Sequence, residues 1–329
     1  MRKFLMISAA ALILTACSNG EADKVKADAT KAAEAAQTET KGKKAKKQAA
    51  AGSDTKKAKA KSPKTKGKFN AAKLDTILAA QSEKAQARYG ARRPAKTLKF
   101  FGIKPGMAVG EALPGGSWYT KILVPYLGEE GELIGIDYSL DMWPEFSFAN
   151  EAFIENKKNW PTEFVTKAAE WAPADGAKIS AMTFGDAAGD RAGTLDAVLF
   201  TRALHNLSRY ETEGQYMTKA LSKTHDLLKP GGIVGVVQHR APETADDDWA
   251  NGSAGYMKQS KVIAAFDAAG FDLVQKSGLN ANPKDKPTSE DVVWRLPPSL
   301  SGVGDNETLK AERMAIGESS RMTLLFKKR

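Results

Sequence analysis

From residue 69 onward the chain alternates short apolar runs with stretches whose apolar positions recur at helical spacing. Seven runs have strand length: Met107–Leu113, Glu132–Asp137, Ile179–Phe184, Leu195–Thr201, Ile233–Gln238, Phe271–Lys276 and Met322–Lys327. Between them, helices are predicted where apolar residues fall on one face. Asn70 is placed to cap a helix carrying Leu74, Ile77 and Leu78 and running to about Gly90. Pro94 opens a short helix through Phe101, and further helices fit 118–127, 211–228 and 256–269. Strand, glycine turn, helix, strand in repetition predicts an α/β fold, a doubly wound, mostly parallel sheet of seven strands. The mixed segment 140–175 takes no assignment.

The first fifth of the chain follows no such pattern. Met1-Arg2-Lys3 precedes an unbroken apolar or small run, Phe4–Leu14, too short for a bilayer span but of signal-peptide length. It ends in Leu14-Thr15-Ala16-Cys17, which resembles a bacterial lipobox, so Cys17 is the expected lipidation site. Cys17 is the only cysteine, which excludes an intramolecular disulfide and a cysteine-cluster zinc site. Residues 18–68 contain one large aliphatic residue, Val25, and no aromatic until Phe69, a composition expected to stay disordered. The domain reading is therefore a lipoprotein signal peptide over 1–16, a lipid anchor site and Lys/Ala-rich tether over 17–68, and a folded domain over 69–329.

Charge follows the same division. The formal net charge of +10 resolves into +2 on the signal peptide, 15 Lys against 6 acids on the tether, and 32 basic against 33 acidic residues on 69–329. The basic character belongs to the tether, where each lysine can add up to about 1 kcal/mol at an anionic membrane surface. No aromatic interleaves these lysines to stack bases, which argues against a nucleic-acid arm. The expected location is the cell envelope, on the periplasmic face of the outer membrane if the organism has two membranes.

Chemistry is expected at the first glycine turn, because ligands of an open α/β sheet bind beyond the carboxyl ends of its strands at the switch point. Pro114-Gly115-Gly116-Ser117 follows the first strand and lacks a Cβ at two positions, so backbone can approach a ligand closely. Asp137 closes the second strand, where a carboxylate can meet a ribose diol. A cap for the segment after Ser139 is an equal use of the same residue. Asp246-Asp247-Asp248 reads as solvated loop, and no metal site is predicted.

Val109-Gly110-Glu111-Ala112-Leu113-Pro114-Gly115-Gly116-Ser117-Trp118-Tyr119 resembles the first motif of class I S-adenosylmethionine-dependent methyltransferases, closest to a bacterial branch described only as predicted methyltransferases. Gly135-Ile136-Asp137-Tyr138-Ser139 resembles the family's acidic second motif, and Phe184-Gly185-Asp186 its adenine-contacting turn. Leu195–Thr201 and Leu228-Lys229-Pro230-Gly231-Gly232 resemble the fourth strand and the turn before the fifth. The resemblance spans about 100–329 and implies a Rossmann-like methyltransferase fold with S-adenosyl-L-methionine as cofactor. It places Glu111, Pro114, Gly115 and Gly116 at the methionine end. Asp137, with Tyr138 beside it, falls at the ribose and Asp186 at the adenine. The usual Gly-x-Gly-x-Gly spacing is replaced by Pro-Gly-Gly-Ser.

Two histidines follow strand ends, His205 in Arg202-Ala203-Leu204-His205-Asn206 and His239 in Gln238-His239-Arg240. Both are candidate catalytic bases for an unknown methyl acceptor. His225 reads as a surface residue, and Tyr256 and Trp294 as acceptor-pocket or core aromatics. The alternative is a non-catalytic lipoprotein that keeps the fold as a ligand-binding or structural module, since the cofactor is made in the cytoplasm. A dinucleotide enzyme is disfavoured by the lack of a Gly-x-Gly-x-x-Gly turn.

Overall fold

A computed structural model describes residues 67–329. The expected signal peptide, Cys17 and the tether as far as residue 66 lie outside the described residues.

All seven predicted strands form, in the order β3-β2-β1-β4-β5-β8-β7. They are β1 (Ala108–Ala112), β2 (Glu132–Asp137), β3 (Lys178–Thr183), β4 (Leu195–Thr201), β5 (Leu228–Ala241), β7 (Phe271–Ser277) and β8 (Arg321–Lys328). β8 runs antiparallel to both its neighbours, and the remaining pairs are parallel. A two-residue strand, β6 (Met257–Lys258), pairs with the end of β5. Its central strands β1, β2 and β4 are buried on both faces, as a parallel sheet requires, while the outer strands β3 and β7 are less buried. In β4, Val198 and Phe200 join Ile134 and Ile136 in one apolar cluster, while Ala197 and Leu199 join Val109 and Leu133 in the other. Helices cover both clusters.

Asp196, on β4 beside the apolar run, binds three strands together at their start. Its Oδ2 accepts from the Ala108 amide at 2.9 Å and its Oδ1 from Lys229 Nζ at 2.7 Å. The Lys229–Gly232 turn is an irregularity within β5 rather than a loop before it: Leu195 pairs with Leu228, and Ala197 already with Ile233.

Several helix limits differ from expectation. Asn70 does cap a helix, Oδ1 accepting from the Lys73 amide, but that helix ends at Ala79. Ser82 then caps a new turn, Glu83–Gln86, and a third short helix spans Tyr89–Arg92. The 211–228 helix is broken at Gln215, which takes a left-handed φ of 54°, so its long part is Tyr216–Leu227. Tyr256 belongs to the approach to β6, and the helix there starts at Gln259. The unassigned segment folds as a 3-10 turn, Leu140–Glu145, and two helices, Glu151–Lys157 and Trp160–Ala169. Among the described residues no helix is long and apolar enough to cross a membrane.

Candidate functional site

β1 is flanked by β2 on one side and β4 on the other, so strand order reverses there and a crevice opens beyond the carboxyl ends of β1 and β4. A cavity of about 430 Å3 occupies that place. Its walls include Glu111 and the turn through Gly116 after β1, Thr201, Arg202 and His205 at and after the end of β4, and His239 on β5. Arg88, Arg92, Trp118, Trp294 and Glu318 close it from other parts of the chain.

The turn after β1 is shaped for close approach. Leu113, Gly115 and Ser117 all have left-handed φ, at 52°, 52° and 59°, and Arg202 has 60° in the loop after β4. Such backbone in non-glycine residues costs roughly 1–3 kcal/mol each and gathers at functional sites. A Cβ on Gly116 would meet nothing within 4 Å, so that face of the turn is open space. Neither Gly115 nor Gly116 donates its amide to an acceptor among the described residues.

Near the end of β1, Glu111 is buried, 4% exposed, and its one polar side-chain partner among the described residues is Thr120, whose Oγ1 donates to Oε2 at 2.7 Å. Burial pushes its carboxyl up to about 7, the Thr120 bond opposing only in part. A cation in the cavity would reverse that shift.

The two histidines meet as expected, with ring centroids 5.8 Å apart. His239 Nδ1 lies 2.6 Å from Ser319 Oγ, while His205 Nδ1 is buried without a partner among the described residues. Burial lowers both imidazoles, His205 to about 4 and His239 well below its ordinary value, so both are neutral at pH 7. Gly252, with φ +106°, fixes the His205 loop: a Cβ there would stand 2.1 Å from the His205 carbonyl oxygen.

Glu111, Pro114, Gly115, Gly116, His205 and His239 therefore share one cavity, and Asp137, Tyr138 and Asp186 do not line it. Asp137 is buried at the end of β2, and Lys157 Nζ stands 3.0 Å from its Oδ2. Burial still raises the Asp137 carboxyl, against the pull of Lys157. Lys157 also lies 4.1 Å from the ring centre of Trp143. Tyr138 packs on Trp143 and Phe146, its hydroxyl accepting from Asn206 Nδ2 at 2.9 Å. Asp186 is exposed, and its Oδ2 accepts from the Thr183 amide at 2.7 Å within its own turn.

Of the other residues singled out in the sequence, Trp294 lines the cavity 6.0 Å from His205. Tyr256 is core, donating to Asp285 at 3.2 Å. His225 is half-buried rather than on the surface, its ring packed edge-on against Phe271 at the start of β7. Asp247 is held by Lys258 and Lys261 at 2.6 and 2.9 Å.

No protein-family model matches the chain, and no curated protein matches it in sequence. Solved structures are similar to it in fold. A structure described as a SAM-dependent methyltransferase from Aquifex aeolicus is 15% identical, with 80% of this chain and 100% of that one covered and a TM-score of 0.42. The YcgJ protein of Bacillus subtilis is 14% identical over 71% and 97%, with a TM-score of 0.38. The [4+2]-cyclase SpnF is 13% identical over 78% and 93%, with a TM-score of 0.44. At such identities and TM-scores the likenesses assign no activity.

Proposed function

We propose that this protein is an S-adenosylmethionine-dependent methyltransferase. The observation that carries the reading is the convergence, at the switch point, of a buried carboxylate without a counter-charge, an open glycine turn with free amides and a neutral imidazole with a bare nitrogen.

These residues fit the methionine end of the cofactor as they stand. Glu111 lacks the cation that its burial calls for, and a ligand carrying ammonium and sulfonium groups supplies one. The turn at Pro114–Gly116 gives backbone room for the ligand's main chain. At the ribose end, Asp137 at the close of β2 would accept from the diol once it exchanges Lys157 for it. When bound, the cofactor supplies a methyl group on a positively charged sulfur.

The remaining work falls to the chain's own groups. A methyl transfer needs an acceptor held in line, water kept out and a place for a proton. Trp118 and Trp294 wall the cavity against water. His205 is neutral across the physiological range, and its Nδ1 can take a proton from the acceptor in the tautomer that leaves that atom bare. Its low pKa means that the proton is passed on to solvent rather than kept.

The Lys157–Asp137 pair is the one observation that favours the second reading, a non-catalytic fold kept as a ligand-binding or structural module, because the ribose carboxylate already has a partner. Calorimetric titration of the full chain separates the two readings: binding followed by methyl transfer to any acceptor supports the enzyme, and no heat with the cofactor sinks both its cofactor and its activity. We further propose that Cys17 carries a lipid and holds the domain at a membrane, with the basic tether against its anionic surface. Radiolabelled palmitate should enter the wild-type chain and be lost in Cys17→Ser.

A further inference from the structure

The cavity's chemistry is lopsided on the side away from Glu111. Three guanidinium groups converge on one carboxylate, Glu318: Arg88 Nε at 2.8 Å, Arg92 Nε at 3.2 Å and Arg321 Nη1 at 3.1 Å. A carboxylate offers about four lone-pair sites, and each guanidinium brings five N–H donors. The surplus is visible. Arg88 Nη2 and Arg92 Nη2 are buried and donate to nothing among the described residues. A fourth guanidinium, Arg202, has its Nε buried without a partner, and its side chain makes no hydrogen bond or ion pair among the described residues. Trp118, over which Arg92 stacks at 4.8 Å, leaves its indole N–H unpartnered in the same place.

Every one of these four unpartnered groups is a donor and none is an acceptor. Four guanidinium charges face a single carboxylate there, and Arg92 and Arg202 lie close enough to repel. Arg92 is 4% exposed, so water does not screen that repulsion well. A compact polyatomic anion answers both deficits at once, because its oxygens accept in the planar fork that guanidinium groups present. A cationic or neutral amine ligand answers neither.

We propose that Arg88, Arg92 and Arg202, with the Trp118 indole, form an anion subsite that takes a carboxylate or phosphate group of the methyl acceptor. The word acceptor rests on the methyltransferase reading, whereas the anion subsite does not. The same chemistry could serve the cofactor's own carboxylate, and the test separates the two sources.

The full chain is titrated calorimetrically with inorganic phosphate and with acetate, alone and with S-adenosylmethionine present. The wild type should bind phosphate at one site, and Arg202→Gln should weaken it by about tenfold or more, the loss of a charge-assisted pair. Cofactor affinity should stay within about twofold in the variant, and phosphate should still bind in its presence. The Arg202 side chain makes no hydrogen bond or ion pair among the described residues; should Arg202→Gln nonetheless misfold, Arg88→Gln reads the same subsite. Unchanged phosphate binding in the folded variant, or no phosphate binding by the wild type, overturns the subsite. Mutual exclusion of phosphate and cofactor, with cofactor binding weakened equally by the substitution, assigns the arginines to the cofactor and overturns the acceptor role. If phosphate binds and is lost in Arg202→Gln while the cofactor never binds, the subsite stands and the methyltransferase reading falls.

Discussion

Lys157 Nζ lies 3.0 Å from Asp137 Oδ2, so the carboxylate that ends β2 is held by a lysine of this same chain. The pair is almost dry: the Asp137 side chain is 9% exposed and that of Lys157 19%. Lys157 is steadied from behind by Trp143. The contact makes Asp137 available to a ligand only by exchange.

Lys157→Met should therefore tighten S-adenosylmethionine binding by about three- to tenfold, the release of a partly buried pair. It should also destabilise the free protein, because Asp137 would then be a buried charge with no partner. That carboxyl, already raised by burial, would rise further. The stability deficit should accordingly grow with increasing pH and nearly vanish where Asp137 is protonated. Urea unfolding of wild type and variant across a pH series measures it.

Glu111 gives a pH dependence of binding with a definite sign. Its carboxyl is pushed up to about 7 in the folded protein, above its ordinary 4.5. The folded state therefore holds a proton that the unfolded state has lost, and this group's contribution to stability falls as pH rises from about 4.5 to about 7. A cationic ligand needs the ionised form. Affinity for S-adenosylmethionine should rise through pH 7 and level off above it. Glu111→Gln keeps the Thr120 bond, gains about 1–3 kcal/mol of stability at pH 8, binds the cofactor at least about tenfold more weakly and flattens the pH profile.

The histidines act in the opposite sense. His205 titrates at about 4 in the folded protein against an ordinary 6.5, and His239 is lowered likewise. Stability from the neutral rings is fully present above about 6.5 and is lost as pH falls toward 4. Replacing His205 with Gln should remove about one proton's worth of slope from the stability curve between pH 6.5 and 4.5. Urea midpoints at a series of pH values read this directly.

Gly252→Ala should be the costliest small substitution near the site. A Cβ would stand 2.1 Å from the His205 carbonyl oxygen, and the residue's φ of +106° suits glycine alone. A loss of about 3 kcal/mol or more is expected. Gly102→Ala is the control: φ is +69° but nothing lies within 4 Å, so only about 1 kcal/mol should be lost. Thermal unfolding compares the two.

Which parts of this were legible in the sequence follows from the range of the interactions involved. The seven sheet strands were, because residues such as Leu195–Thr201 are apolar on both faces and bounded by turns. β6 was not, since two residues carry no period, and Tyr256 passed for part of a helix. Within the site, the Pro114–Gly116 turn, His205 and His239 were legible because they lie at or just beyond strand ends, and Glu111 through the resemblance of the motif that contains it. The engagement of Asp137 was not, since Lys157 lies in a segment whose mixed pattern gave no helix. The arginine cluster was hidden more deeply: Arg88 and Glu318 meet across 230 residues, and no local spacing encodes that contact.

Everything proposed for the site depends on whether the cavity beyond β1 and its neighbouring carboxylates bind S-adenosylmethionine. Calorimetric titration of the full chain, wild type and Asp137→Asn side by side at pH 8, tests it most directly. One site is expected in the wild type and an affinity at least about tenfold lower in the variant, the loss of charge-assisted bonds to a diol. No binding by the wild type at millimolar concentration, or equal affinity in the two proteins, would contradict it.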